Sequence, residues 1–229
     1  MGATAFDVKL SREIGFYQSM VGRKALVAVT GAMLFGYLVA HLAGNLQILA
    51  GPERINAYAR LLHSQPGLLW VARLVLLAAV GLHAVATVQL WFENRAARPI
   101  PYQKPDTLQA TLASRTMIIS GPLIAVFVVY HVLHFTTGTV HPRFIELNAY
   151  NNVVVGFQNP AASGFYILIM VLIGLHLYHG LWSMFQSLGL SHPRYTPWIK
   201  RGAAAGAFLI AGGNIFIPVA VLAGLIRPV

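Results

Sequence analysis

The sequence predicts an all-α integral membrane protein, a bundle of five transmembrane helices with residues 1–229 as one domain. Three observations carry this. Five stretches are apolar and long enough, at about 1.5 Å per helical residue, to cross the roughly 30 Å hydrocarbon core of a bilayer. Only 10% of residues are charged, against about 25% in an average soluble domain, and mean hydropathy is +0.65. The Lys and Arg residues fall mostly on alternate connections, as in a multi-pass protein.

The N-terminal stretch is polar and charged and lacks an A-x-A cleavage site, so it reads as a cytoplasmic tail, not a signal peptide. Span one covers 24–49, opened by Arg23 and Lys24 and closed by Gly51-Pro52. Residues 52–66 form a loop with a short surface helix over 56–62. Span two covers 67–92. Trp70 and Trp91 bracket it about 30 Å apart, the spacing of the two aromatic belts. The linker 93–112 is rich in Pro and basic residues and is expected outside the membrane. Span three covers 114–138, with Pro122 as a tolerated kink. Residues 139–162 make the longest loop, on the opposite face. Span four covers 163–190, and span five, without histidine, covers 202–226. The connector between them, 191–201, holds two prolines and three basic residues.

Of the 16 Lys and Arg residues, eleven lie in the N-terminal tail, residues 93–115 and residues 191–201. Arg54, Arg60, Arg143 and Arg227 lie on the other face, and Arg73 sits within span two near it. The positive-inside rule then puts the N-terminus in the cytoplasm and, with five spans, the C-terminus on the opposite face of the membrane. The net charge of +10 follows from this topology and does not imply nucleic acid. The chain has no cysteine, which excludes disulfides, cysteine-ligated clusters and covalent haem attachment.

Four of the spans carry histidine: His41, His83, the pair His131/His134 and the pair His176/His179. An imidazole in hydrocarbon keeps a donor and an acceptor to satisfy, so it is rarely placed there without a partner. His41 and His131 lie about seventeen and sixteen residues from the cytoplasmic starts of their spans, in the outer half of the bilayer. His83 lies about nine residues from a cytoplasmic end, His176 about thirteen and His179 about ten. The two levels are four to eight residues apart, roughly 6–12 Å. Span one thus pairs with three and span two with four, as two stacked bis-histidine b-type haems would require, with helices one to four enclosing them. Small residues near the histidines (Ala40, Gly44, Ala79, Ala86, Gly180) suit a flat macrocycle between helices.

A lone buried histidine is more often a hydrogen-bonded core residue than a ligand. Four spans with depth-matched histidines reverse that balance. A proton relay or transporter usually carries intramembrane Asp or Glu, and no span here does. Zinc wants three or four ligands at one level. Within the i, i+3 pairs, depth favours His131 slightly over His134 and His179 slightly over His176. His63, His141 and His192 fall in loops and read as solvated side chains.

The segments HLAGNLQ (41–47), SRTM (114–117), YHVLHF (130–135) and LHLYHGLWSMFQSLG (175–189) resemble the five-helix cytochrome b membrane anchor of succinate dehydrogenases and fumarate reductases, the single-anchor, di-haem type. The resemblance runs in order along essentially the whole chain. It implies haem-iron axial ligands at His41, His83, His131 and His176. In span four the family's ligand lies four residues before a small-residue step, here Gly180, and about a turn ahead of the aromatic run at Trp182. His134 and His179 become neighbours of ligands. Some quinol-oxidising fumarate reductases of this family carry an intramembrane Glu just before the fourth-span ligand; here that stretch is Ile173-Gly174-Leu175.

The resemblance implies the membrane subunit of a succinate:quinone oxidoreductase of the tricarboxylic acid cycle, an enzyme complex. The chain would anchor that complex and transfer electrons between its iron–sulfur subunit and quinone. The implied cofactors are two haem b groups, with a quinone, menaquinone being the expected type, as substrate. The implied partners are the flavoprotein and iron–sulfur subunits, membrane lipid and quinone, with no nucleic acid; a higher oligomer of the complex is allowed. The chain lacks a Rossmann fingerprint, cysteine and a soluble domain, so it carries no catalytic residue for dicarboxylate chemistry. A haem near the outer face makes sense if quinone reacts there. Asn45, Gln47, Glu53, His63 and Arg73 are polar near that face and have ordinary readings as helix-end groups, so no quinone contact is assigned. Arg73, which needs a partner, could meet a haem propionate or backbone carbonyls.

The alternatives are a fumarate reductase anchor running in the quinol-oxidising direction and a haem-free anchor or transporter. The di-haem anchors of hydrogenases and formate dehydrogenases lack the span-three and span-four motifs.

Overall fold

The computed structural model describes residues 15–97 and 111–229, and these are helical with no strand among them. The first 14 residues of the expected tail and residues 98–110 of the expected linker lie outside the described residues. Seven α-helices follow in order: α1 (Met20–Asn45), α2 (Pro52–His63), α3 (Pro66–Ala96), α4 (Leu112–Phe135), α5 (Ala149–Phe157), α6 (Pro160–Ser187) and α7 (Thr196–Leu222). Five are long and apolar enough to cross a membrane: α1 with its 3-10 extension to Ala50, α3, α4, α6 and α7. The chain is a multi-pass membrane protein.

Local chemistry sets the ends. Ser19 caps α1 by accepting from the Gly22 amide, and Thr111 caps α4 by accepting from Ser114. A side chain at Gly22 would run into the Phe16 carbonyl, so glycine lets the preceding turn fold back on α1. Gly51, at φ 97°, breaks the chain before Pro52 opens α2. Asn159 and Pro160 start α6 three residues before the expected position, because proline at the first helical turn loses no hydrogen bond. Pro122 sits inside α4, as expected.

The long loop contains a helix that the sequence reading did not foresee. In α5, the stretch AYNNVVVGF has modest helix propensity. It is held by the Asn148 cap and by burial of Tyr150, Val154 and Phe157. His141, read as solvated, is buried here. Its Nδ1 accepts from the Arg143 amide, so its Nε2–H donates to the Asn152 carbonyl at 2.8 Å. Asn152 in turn clamps both backbone groups of Ile145. Asn56 of α2 accepts from the Tyr150 amide and donates to Asn148, which joins α2 to α5.

These contacts build a cap over one end of the bundle, here the distal end. The C-terminal residue Val229 bonds Asn151 there. The opposite, proximal end holds Tyr17, bonded to Gln89 of α3, and the Arg23–Glu93 ion pair at 2.7 Å between α1 and α3. The main cluster of buried hydrophobic residues lies distally, around Ile48, Val154, Tyr166, Ile169 and Ile217.

Helix α6 is central and packs on α7, α4 and α1, while α3 packs mainly on α1. No comparable packing joins α1 to α4 or α3 to α6. Helices α3 and α4 do not pack on each other either, so the middle of the first four spans is closed neither across its diagonals nor on its α3–α4 side.

Candidate functional site

The imidazoles meet across those two diagonals. His41 of α1 and His131 of α4 lie with ring centroids 5.7 Å apart and planes at 86°. His83 of α3 and His176 of α6 lie 6.5 Å apart at 55°. Span one thus meets three, and span two meets four. The slight depth preference for His179 is corrected: His176 is the ring facing His83. The cause is in the helix ends. Helix α3 runs on to Ala96 and α6 stops at Ser187, so His83 and His176 lie thirteen and eleven residues from the proximal ends of their helices, and His179 only eight. His179 instead sets its ring edge-on to Trp182, with centroids 5.6 Å apart, and its buried Nδ1 has no hydrogen-bond partner.

The distal pair stands four residues from the ends of both helices, at Asn45 and Phe135. The proximal level is marked on the same two helices. Thr30 of α1 touches His83, and Ser120 of α4 touches His176. Thr30 to His41 and Ser120 to His131 are each eleven residues, about three turns, so each hydroxyl and its histidine share one face. The levels are then about 16 Å apart along the helices, more than the span-end reading suggested.

Each of the four imidazoles turns Nδ1 to a hydroxyl. Thr30 donates to the Leu26 carbonyl at 2.7 Å, which leaves its oxygen to accept from His83 Nδ1–H at 3.1 Å. Ser120 donates to the Met117 carbonyl at 3.5 Å and accepts from His176 Nδ1–H at 3.2 Å. His41 faces Tyr37 Oη at 3.5 Å, and His131 faces Tyr166 Oη at 3.3 Å. The side-chain hydrogen bonds of the four rings among the described residues run through Nδ1, and His83 also meets the Val27 carbonyl. A neutral imidazole whose Nδ1–H is held offers a bare Nε2 lone pair, the form that binds a metal.

A bis-imidazole haem fits this donor set. Two imidazoles bound to one metal at about 2 Å each bring their ring centroids to roughly 6 Å, and both pairs lie near that value. No three His, Cys, Asp or Glu residues converge among the described residues, so a zinc-type site is not formed. Glycines leave room beside the proximal pair. A Cβ at Gly31 would lie 3.4 Å from His83 Cε1, and Gly180 faces open space. Gly44 serves another purpose, because a side chain there would strike Tyr58. Ala79 and Ala86 are buried in α3, whose packed neighbour is α1.

His134 is 2% exposed and packs on Phe135 at 4.1 Å. Arg73 stacks over Trp70, 5.0 Å from the ring centroid, so an aromatic neighbour supplies the partner that its position calls for. The sequence reading missed Thr30, Ser120, Tyr37 and Tyr166. For Thr30 and Ser120 a signal existed: a hydroxyl in an apolar span, three turns from that span's histidine.

Residues 101–214 match the model of the succinate dehydrogenase/fumarate reductase transmembrane subunit family. No curated protein and no solved structure matches the chain. The matched stretch takes in α4, α6 and most of α7, with His131 and His176. Together with five apolar spans and an all-helical bundle, this identifies the chain as a member of the succinate dehydrogenase/fumarate reductase transmembrane subunit family.

Proposed function

We propose that this chain is the di-haem cytochrome b anchor of a succinate:quinone oxidoreductase and carries electrons between the complex's iron–sulfur subunit and quinone. The observation that carries this reading is the pair of imidazole couples across the two bundle diagonals, with each Nδ1 on a hydroxyl. His83 and His176 would hold the proximal haem b, and His41 and His131 the distal one. Bound haem iron supplies one-electron exchange.

The residues of this chain supply the rest. Thr30 and Ser120 fix the tautomers of the proximal imidazoles, and Tyr37 and Tyr166 face the distal ones. Phe127 and Phe135 flank His131. The basic proximal end would face the cytoplasm of a bacterium, where the exposed Lys200 and Arg201 can meet the iron–sulfur subunit, with the flavoprotein beyond it. Quinone, menaquinone on our reading, would react toward the distal face, because a proximal site would not need the second imidazole pair. The α6 stretch before His176 is Ile173-Gly174-Leu175 and holds no carboxylate, so no proton path through a glutamate there is part of this reading.

Haem content and a redox titration of the purified complex test this. Two b-type haems per chain, with two resolved potentials and co-purified flavin, are expected. A single haem would remove the basis of the distal quinone site, and none would return the four histidines to packing roles.

A further inference from the structure

The two imidazole pairs end their hydrogen bonds differently. At the proximal pair, the hydroxyl hydrogens of Thr30 and Ser120 go to backbone carbonyls of their own helices, so each relay stops after one bond. At the distal pair, Tyr166 Oη lies 3.3 Å from His131 Nδ1 and 3.1 Å from His134 Nδ1. A phenol has one hydrogen, so Tyr166 donates to one of these nitrogens and accepts from the other. Resting on the bis-imidazole reading above, His131 coordinates through Nε2 and keeps its proton on Nδ1. His131 is then the donor, and Tyr166 passes its own hydrogen to His134 Nδ1.

We infer that Tyr166 and His134 are positioning residues for the distal ligand, forming a directed chain from His131 through Tyr166 to His134 that locks the His131 tautomer and strengthens its donation to bound iron. The surroundings leave the chain little alternative. Tyr166 is 5% exposed and His134 2%. Phe127, Tyr130, Phe135 and Phe157 surround the phenol with aromatic faces and edges, so no bulk water replaces either bond. The chain is tertiary: it runs from α4 to α6 and back to α4, whereas Tyr37 meets His41 from one turn away on the same helix at the longer 3.5 Å. A hydrogen bond accepted by a phenol that itself donates is strengthened by polarisation. An imidazole whose N–H is so held is the more basic ligand.

The test is Tyr166→Phe in the assembled complex, read by redox titration of the haem spectrum. The distal component is identified as the one that His41→Ala removes. The midpoint potential of that component should rise, because a less basic imidazole stabilises ferric iron less, and the proximal component should stay put. His134→Leu should shift the same component in the same direction by less, since Tyr166 still accepts from His131. Ser120→Ala should move only the proximal component.

An unmoved distal potential, or both components moving together in Tyr166→Phe, overturns the inference. Should Tyr166→Phe bind no haem, the His134→Leu shift decides by the same criterion. A wild-type complex without haem overturns the bis-imidazole reading and this inference together; haem with an unmoved distal potential overturns this inference alone.

Discussion

The distal and proximal histidine pairs share a design and differ in support. Each joins two helices that do not otherwise pack, and each turns Nδ1 to a hydroxyl. The distal pair sits one turn from its helix ends, at the end of the bundle that holds the buried hydrophobic cluster and the α2–α5 cap. Its imidazoles face tyrosines, amid aromatic rings. The proximal pair sits about three turns into α3 and α6, where α3 has few neighbours, and it faces two small hydroxyls anchored to their own helices. The same ligand geometry is thus reached by tertiary packing at one level and by local helix chemistry at the other.

The largest test of this contrast removes a ligand from each pair in turn. In an assembled complex, His41→Ala should eliminate one of the two haems and quinone turnover, while succinate oxidation by an artificial dye continues. Unchanged quinone turnover would sink the distal quinone site. His176→Ala should remove the other haem, and His179→Ala should leave both, as read by pyridine haemochrome content. The reverse ranking would mean that the ring facing His83 is not the ligand.

A smaller effect separates the hydroxyl partners. Thr30→Val keeps the shape but removes the acceptor of His83 Nδ1–H. Loss of such a partner costs about 10–100-fold in metal affinity, so haem titration of the proximal site should weaken by that order and the distal site should not. Tyr37→Phe, with its 3.5 Å contact, should matter less than either Thr30→Val or Tyr166→Phe. The smallest effect lies in the cap. Asn152→Ala strips both clamps on Ile145 and should lower stability by about 1–3 kcal/mol in a detergent unfolding curve, with both haems retained.

Much of the architecture was legible because a bilayer constrains sequence strongly. A helix in hydrocarbon must satisfy its backbone internally, so apolar length alone marks α1, α3, α4, α6 and α7. The pairing of spans was legible too, because histidine is costly in lipid and depth can be counted along a helix. Depth alone did not choose correctly between His176 and His179; only the family resemblance pointed to His176. They are three residues apart, about 4.5 Å, which is within the uncertainty of a helix end. Helix α5 was not legible, because its propensity is weak and its helicity comes from burial against α2, α6 and α7.

By itself the sequence determined the five spans, the surface helix α2, the two histidine levels and the family resemblance, since each depends on composition and spacing along one chain. Only the tertiary structure decided which imidazole of each i, i+3 pair faces across the bundle, that Thr30, Ser120 and Tyr166 take the Nδ1 contacts, and that His141 is buried under the distal loop. Those outcomes depend on the rotation of one helix against another, and periodicity within a helix does not specify that angle.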